Sequence, residues 1–127
     1  MKETVFVLCA LLPYLICGIN PAIVLAHLIY HEDIRMRGSG NPGFTNFKRS
    51  FGSRLAWVVF ALDLGKAAIV VALFASLFER RFGIWQFGAA YTGLIAVLGH
   101  AYPVWYGFKG GKGFLVGLST AFVIDWR

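Results

Sequence analysis

Three long, predominantly apolar runs limit the folds open to this sequence more than any of its motifs. They cover residues 4–30, 55–78 and 82–106, and each exceeds the ~20 residues that an α-helix needs to cross the hydrocarbon core of a bilayer. Only 14% of the residues are charged, whereas about a quarter are charged in an ordinary soluble domain. The sequence therefore predicts an all-α integral membrane protein, a helical bundle with three spanning helices.

A fourth apolar segment, residues 114–124, is too short to span. At ~1.5 Å per residue it reaches about half way across a bilayer of ~30 Å. It is either a helix that is cut short or a re-entrant half helix buried by protein, so the predicted number of transmembrane helices is three or four. The first run lacks the small-x-small pattern of a signal-peptide cleavage site, and we expect it to be retained as a helix.

Lysine and arginine are unevenly distributed between the segments that connect these runs. The segments after the first and third runs contain Arg35, Arg37, Lys48, Arg49, Arg54, Lys109 and Lys112, and the opposite side has Lys2, Arg80 and Arg81. Because Lys and Arg are enriched in cytoplasmic loops, we expect residues 31–54 (the first polar segment) and 107–113 (the second polar segment) to be cytoplasmic. The net charge of +6 then reflects orientation and anionic lipid, and we expect no nucleic-acid partner.

The first polar segment contains the sequence GSGNPGFTNFKR, residues 38–49. Its glycines bend the chain tightly and expose backbone N–H groups, which together form a concavity suited to an anion. Thr45 or Asn46 is expected to cap the helix that follows, and Arg49 then lies one turn in, where its planar fork can hold a phosphate by two bonds. The alternative is a plain glycine-rich connector whose cations face lipid headgroups.

The second polar segment, GFKGGKG, combines four glycines with Lys109 and Lys112. Glycines let the backbone approach a ligand closely, and the lysines supply point charges. This is not a Walker A loop, because Tyr106 stands where that pattern needs its first glycine and Gly113 stands where it needs Ser or Thr. The alternative is helix packing through small residues spaced four apart, which accounts for the glycines but not for the lysines.

Polar residues inside the apolar runs have two interpretations each. Asp63 and Lys66 lie three positions apart on one helical face, and ionised groups at that depth need a partner or a wet cavity. They form either a self-neutralising pair that orients the helix or a site with Lys66 at the bottom of an anion pocket. His100, just before Pro103, is either a general base or a hydrogen-bonding partner of a neighbouring helix.

Two stretches, GSGNPGFTNFKR and GHAYPVWYGFKGGKG, resemble signature motifs of the bacterial acyl-phosphate:glycerol-3-phosphate acyltransferases, membrane enzymes of phospholipid biosynthesis. YLICGINPA, DIRMRGSGN and the spacing of Asp63 and Lys66 are also similar to the N-terminal half of that family. The resemblance implies transfer of a fatty acyl group from acyl phosphate to the 1-hydroxyl of sn-glycerol 3-phosphate, giving lysophosphatidic acid and phosphate. It implies membrane lipids as further partners, no metal and no cofactor, and a location in the bacterial inner membrane.

The resemblance also implies roles for particular residues. It carries catalytic or substrate-binding roles to Ser39, Asn41, Asn46, Arg49, Lys109 and Lys112. Taking all the residues of the two segments together, we expect catalysis from Ser39, Arg49 and Lys112, and substrate binding from Asn41, Thr45, Asn46, His100, Lys109, Gly110, Gly111 and Gly113. We expect Arg49 and one lysine to hold the phosphate of glycerol 3-phosphate, while the other lysine and the glycine-rich backbone hold the acyl phosphate. The base that takes the hydroxyl proton stays open between Ser39, His100 and the substrate's own phosphate.

The sequence departs from the family pattern in two ways. Phe114, Leu115 and Val116 follow GGKG, where the family usually has Val, Ala and Thr, so a hydroxyl group is lost and bulk is added beside the second polar segment. The family also has about seven helices and a third motif, so residues 1–127 are expected to be a single acyltransferase domain truncated at its C-terminus, either a fragment or a shortened homologue. The alternative function is a non-catalytic membrane protein that binds phosphate or anionic lipid.

Overall fold

A computed structural model describes residues 2–126; Met1 and Arg127, the two ends of the predicted domain, lie outside the described residues. Within residues 2–126 all regular secondary structure is helical, without a strand, as the apolar runs predict. Its α-helices are α1 (Lys2–Gly18), α2 (Pro21–Tyr30), α3 (Phe44–Phe51), α4 (Ser53–Phe82), α5 (Trp85–Ala101) and α6 (Phe114–Ile124), with 3₁₀ turns at Ile34–Met36 and Val104–Tyr106.

The first apolar run forms two helices, so the prediction of one continuous helix over residues 4–30 is wrong. The chain breaks at Ile19 and Asn20, because Pro21 lacks the N–H that a continuing helix would use and instead opens α2. Asn20 has an extended backbone, and its side-chain Oδ1 accepts the N–H of Ile23 at 3.1 Å. The break places uncompensated backbone groups inside the bundle, where side chains from other elements can use them.

Among residues 2–126, two helical segments are long and apolar enough to cross a membrane: Lys2–Tyr30, which comprises α1 and α2, and Ser53–Phe82, which is α4. The predicted third span is shorter than residues 82–106: α5 has 17 residues, about 25 Å at the α-helical rise, and it ends before Pro103, which disfavours helical backbone in the residue preceding it. α6 has 11 residues, about 16 Å at the α-helical rise.

α3 is a separate helix of 8 residues, and the expected side-chain cap is wrong. Its N-cap is Gly43, with no side-chain hydrogen bond, so neither Thr45 nor Asn46 caps it. Gly52, with φ of 92°, turns the chain from α3 into α4, a conformation that glycine adopts without strain. Phe47 is fully buried and anchors the apolar face of α3 in the molecule.

The helices pack in two apolar clusters. The larger one joins α1, α4, α5 and α6, and at its centre Phe78 contacts the rings of Phe6 and Tyr91 edge to face. The smaller one lies beneath the first polar segment and includes Ile34 and Phe47. Large apolar side chains such as Ile69, Leu94 and Phe122 lie exposed on the outer helical faces, an arrangement that suits contact with lipid tails.

Candidate active site

A cavity of about 520 Å³ lies where the two polar segments meet at one end of the bundle. Its lining consists of Ser39, Asn41, Gly43, Phe44, Thr45, Asn46, Arg49, Phe60, Asp63, His100, Lys112, Gly113, Phe114 and Leu115. The fold thus brings together, on one cavity, all three residues predicted to be catalytic, although more than 60 positions separate Arg49 from Lys112.

Asn46 fixes the shape of the first polar segment. It is 2% exposed, its Nδ2 donates to the carbonyls of Arg37 at 2.9 Å and Ile34 at 3.4 Å, and its Oδ1 accepts the N–H of Ser39 at 3.2 Å. Gly38 makes room for this amide, because a Cβ there would overlap Oδ1. Asn46 therefore lines the cavity while its polar atoms hold Ser39 and the neighbouring backbone in place.

The break between α1 and α2 supports both polar segments. Asn20 is fully buried, and its Nδ2 donates to the carbonyl of Pro42 at 3.0 Å. Its backbone N–H donates to the hydroxyl of Tyr106, just before the second polar segment, over a long distance of 3.5 Å. Asn20 thus links the break between α1 and α2 to the first polar segment and to the residue that precedes the second.

The second polar segment is held by its backbone. The N–H groups of Gly110 and Gly111 donate to the carbonyls of Ala101 at 3.0 Å and His100 at 3.1 Å, which satisfies two acceptors at the end of α5. A Cβ on Gly110 would overlap the carbonyl oxygen of His100, and one on Gly111 would overlap His100 Nε2. The glycines therefore allow the segment to lie directly on α5, and Lys112 then projects at the cavity.

Arg35 joins the two polar segments. Its Nη1 donates to the carbonyls of Tyr106 at 2.8 Å and Lys109 at 3.2 Å, while Nε and Nη2 donate to the carboxylate of Asp33 at 2.8–3.1 Å. The hydrogen bonds from Arg35 lower the pKa of Asp33, and the carboxylate in turn raises the pKa of Arg35. The guanidinium also lies 5.8 Å from the centre of the Tyr106 ring, so this cation is engaged by protein groups.

Arg37, two positions on, makes a different contact. It forms an ion pair with Glu32 through Nε and Nη2, and both side chains are well exposed, at 45% and 38%. This pair is confined to the first polar segment. Exposed pairs of this type contribute little to stability, and Arg37 provides a natural comparison for Arg35.

Asp63, Lys66 and His100 form a buried polar group beneath the cavity, with side-chain exposures of 3%, 13% and 5%. Lys66 Nζ donates to the carbonyl of Ile19 at 2.8 Å and contacts His100 Nδ1 at 3.2 Å. It lies 2.9 Å from Asp63 Oδ1, an ion pair in which that oxygen has no well-directed hydrogen bond. The predicted Asp63–Lys66 pair is thus present, and it extends to a histidine that lines the cavity.

Two cations at the cavity have no protein anion beside them. Within the described part of the chain, neither Arg49 nor Lys112 takes part in an ion pair, and both residues are exposed. By contrast, Arg35, Arg37 and Lys66 are each paired with a carboxylate. Unpaired cations beside glycine-rich backbone are suited to a phosphate ligand. Among residues 2–126, no three His, Cys, Asp or Glu side chains lie close enough to share a metal ion.

The cavity lining includes eight of the eleven predicted site residues. Lys109, Gly110 and Gly111 are outside its lining; the glycines lie against α5, and Lys109 is exposed. The lining also contains Phe44, Phe60, Phe114 and Leu115, an apolar side of the cavity that the motifs alone do not predict.

Sequence reasoning also missed the supporting roles of Arg35 and Asn20. The partners of Arg35 in the second polar segment are 71 and 74 positions away in the chain. No local spacing reveals a contact of that kind. Asn20 carried a local signal, since Asn before Pro is typical of a helix start, but the apolar context on both sides of it favoured one continuous helix.

A scan against protein-family models matches residues 7–127 to the family described as Glycerol-3-phosphate acyltransferase. Among curated relatives named glycerol-3-phosphate acyltransferase, one from Rhodospirillum rubrum is 38% identical over 99% of this chain, and one from Aquifex aeolicus is 42% identical over 88% of it. The chain spans 59% and 56% of the lengths of these two relatives.

Two solved structures are also similar to this chain. The chain is similar to PlsY (YgiH), described as an integral membrane glycerol 3-phosphate acyltransferase, in its glycerol 3-phosphate form, with a TM-score of 0.81 and 36% identity over 94% of this chain and 57% of that chain. The lysophosphatidic acid form of PlsY matches with a TM-score of 0.77 and 34% identity.

Proposed function

The chain belongs to the glycerol-3-phosphate acyltransferase family, and from that premise we propose that its cavity binds acyl phosphate and glycerol 3-phosphate for acyl transfer to the 1-hydroxyl. The products are lysophosphatidic acid and inorganic phosphate. In this reaction the hydroxyl oxygen forms a bond to the acyl carbon, the bond between that carbon and the phosphate oxygen breaks, and the phosphate leaves with the electron pair.

The observation that carries this proposal is the meeting, on one cavity, of Arg49 and Lys112, neither of which takes part in an ion pair within residues 2–126. Each substrate brings a phosphate, and two unpaired cations from separate segments are what two adjacent phosphates require. Cations near the leaving group also stabilise the charge that develops on it during transfer. Holding both substrates side by side supplies the proximity that a two-substrate reaction needs.

The proposal gives Ser39 a role in binding rather than in proton abstraction. Its hydroxyl accepts the N–H of Asn41 at 3.4 Å, and no histidine or carboxylate contacts it within the described residues. A serine hydroxyl without an adjacent base is weakly basic and weakly nucleophilic. The proposal therefore assigns Ser39 and Asn41 to hydrogen bonding with substrate oxygens, and the hydroxyl proton to a substrate phosphate.

The apolar side of the cavity supports a lipid substrate. Phe44, Phe60 and Phe114 line it, and Phe114 is 75% exposed, so an acyl chain attached to a phosphate at Lys112 has an apolar route toward the outer face of the bundle. The polar substrate then enters from the water on the side of the polar segments. Their lysines and arginines support a cytoplasmic placement of this side in a bacterial inner membrane.

The proposal is tested by acyl transfer in lipid vesicles. Both this chain and the product of its full reading frame are reconstituted, given palmitoyl phosphate and labelled glycerol 3-phosphate, and assayed for lysophosphatidic acid. Replacing Arg49 or Lys112 with alanine is expected to lower kcat/KM by at least about 100-fold, since each removes a charge partner of a phosphate. Lys48→Ala is the matched control, because Lys48 is an exposed cation next to Arg49 but outside the cavity lining.

The outcomes separate the enzyme from the binding alternative. Product that is retained with Lys48→Ala and lost with Arg49→Ala supports the acyltransferase. If neither form of the protein makes product, yet either retains inorganic phosphate through Arg49 and Lys112, the proposed activity is wrong and the binding function replaces it.

A further inference from the structure

We propose that His100 is a neutral hydrogen-bond donor to a substrate oxygen, with its proton on Nε2, and that Lys66 is the positioning residue that fixes this tautomer. The inference rests on the proposed function of the cavity, which supplies the phosphate or acyl oxygen that receives the bond. It assigns a chemical role to a buried group that the transfer reaction, as described above, does not use.

Lys66 is surrounded by hydrogen-bond acceptors. An ammonium group has three N–H donors and no acceptor, and three acceptors surround Nζ: the Ile19 carbonyl at 2.8 Å, Asp63 Oδ1 at 2.9 Å and His100 Nδ1 at 3.2 Å. The break between α1 and α2 supplies the first of these, because Ile19 lies beyond the end of α1. The contact with Asp63 is an ion pair, so Lys66 takes part in it as the donor.

The proton position on His100 follows from this contact. Since the ammonium donates, Nδ1 must accept, and a neutral imidazole that accepts at Nδ1 carries its proton on Nε2. A proton on Nδ1 would face the Lys66 ammonium at 3.2 Å. Asp63 Oδ1, at 3.6 Å from Nδ1, is too far to stabilise that arrangement by a hydrogen bond.

The opposite edge of the ring faces the second polar segment. Nε2 lies against Gly111, where a Cβ would overlap it, and Nε2 has no hydrogen-bond partner within residues 2–126. His100 lines the same cavity as Lys112. A buried N–H donor at this position, beside an unpaired cation, matches the requirements of a phosphate oxygen or of the oxyanion that develops on the acyl carbonyl.

With this tautomer His100 cannot be the general base. Nδ1 is occupied by Lys66, and Nε2 already holds a proton, so neither nitrogen has a free lone pair for a hydroxyl proton. The two buried charges beneath the ring are therefore more than a pair that orients α4. Together they convert a titratable side chain into a donor of fixed direction, and this role gives a reason to keep an ion pair whose burial is costly.

Two substitutions distinguish a donor from a base. The amide nitrogen of glutamine reaches approximately the position of histidine Nε2, whereas that of asparagine reaches only the position of Nδ1. His100→Gln is expected to lose less than about tenfold in kcat and His100→Asn at least about 100-fold, because only the first keeps a donor at the cavity. Equal losses in both variants, or a larger loss with glutamine, would overturn the proposal.

The tautomer is measured directly on the full protein labelled with ¹⁵N-histidine in lipid nanodiscs without substrate. Nitrogen correlations should show His100 with a protonated Nε2 and an unprotonated Nδ1. The resonance is assigned by its loss in His100→Gln, while the exposed His27 and His31 serve as internal references. Without the donor, Lys66→Met should no longer fix the proton on Nε2, and only the His100 signals should change. Lys66→Arg, which retains a donor, should preserve them.

A proton on Nδ1 of His100 in the wild-type protein would overturn the proposal. This test needs only the wild-type spectrum, so it does not depend on whether Lys66→Met folds. Unchanged His100 signals in a folded Lys66→Met protein would also overturn it. Because the spectra are recorded without substrate, a lack of acyl transfer in the wild-type protein would refute the proposed function and leave the tautomer result intact.

Discussion

The two polar segments reach the same cavity but are held in shape by different means. Side chains hold the first one: Asn46 binds its backbone at Ile34, Arg37 and Ser39, and Asn20 binds Pro42. Backbone groups hold the second one, through the N–H groups of two glycines that lie directly on the end of α5. The first segment should therefore be sensitive to lost side-chain polar groups, and the second to any added side-chain atom.

The difference matters because both segments must present a cation at a fixed spacing. Arg49 lies on the short helix α3, and Asn46, in the first turn of that helix, holds the backbone that precedes it. Lys112 comes directly after Gly111, which packs against His100. Arg35 connects the two through the carbonyls of Tyr106 and Lys109. Substitutions that weaken each of these supports test whether the comparison is correct.

The largest effect is expected from Gly111→Ala. The added Cβ would overlap His100 Nε2, so the segment must move away from α5, and a displacement of about 1 Å at a reacting group can cost 100-fold in rate. Acyl transfer measured in vesicles should fall by about that factor. Gly117→Ala is the control, because nothing lies within 4 Å of a Cβ there; equal losses in both variants would contradict the account.

Asn46→Ala is expected to destabilise the protein by about 2 kcal/mol, because it leaves buried backbone acceptors of the first polar segment without a donor. Thermal unfolding in detergent measures the change. Asn41→Ala should leave stability nearly unchanged, since the Asn41 side chain makes no hydrogen bond within the described residues. An Asn46→Ala protein as stable as wild type would show that the first polar segment keeps its shape without this side chain.

Arg35→Ala is expected to lower kcat/KM about tenfold by loosening the spacing between the segments. Arg37→Ala, which removes an exposed cation two positions away whose pairing stays within the first segment, should change it by less than about twofold. The two variants are compared in the same vesicle assay, and similar losses in both would remove Arg35 from its role as a connection.

The smallest effect is a pH dependence of the Asp33–Arg35 contact. Arg35 lowers the pKa of Asp33, so the contact contributes stability that is fully present above the unfolded pKa of about 3.9 and is lost as pH falls through the lower folded pKa. The difference in unfolding temperature between wild type and Asp33→Asn should therefore be present at pH 6 and shrink toward pH 3. A difference that grows on acidification would contradict the sign of the shift.

Much of the fold could be predicted from the sequence, because membrane helices are specified by length and apolarity alone. α4 and α6 follow the predicted runs closely, and residues from both motifs line one cavity. The break at Asn20 was missed, since its cap and its proline lie within an apolar run that also satisfies a single span. The role of Arg35 was missed because its partners are distant in the chain, and distance in sequence carries no local signal.

The contacts of Asn46 and of the glycines could not be predicted from the motifs. A motif indicates that a residue is needed but not whether its polar atoms face a ligand or the protein. Asn46 lines the cavity with every polar side-chain atom engaged by backbone, and Gly110 and Gly111 face α5. Their close contacts arise from the packing of the folded chain, which one-dimensional spacing does not contain.

The central claim is that Arg49 and Lys112 act on one reaction in one cavity, and a double-mutant cycle on acyl transfer tests it most directly. Arg49→Ala, Lys112→Ala and the double variant are assayed for kcat/KM with palmitoyl phosphate and labelled glycerol 3-phosphate. Groups that act as a unit on one transition state are strongly non-additive, so the double variant should lose far less than the product of the two single losses. Losses that multiply would mean that the two cations act independently, and the account of a shared site would be wrong.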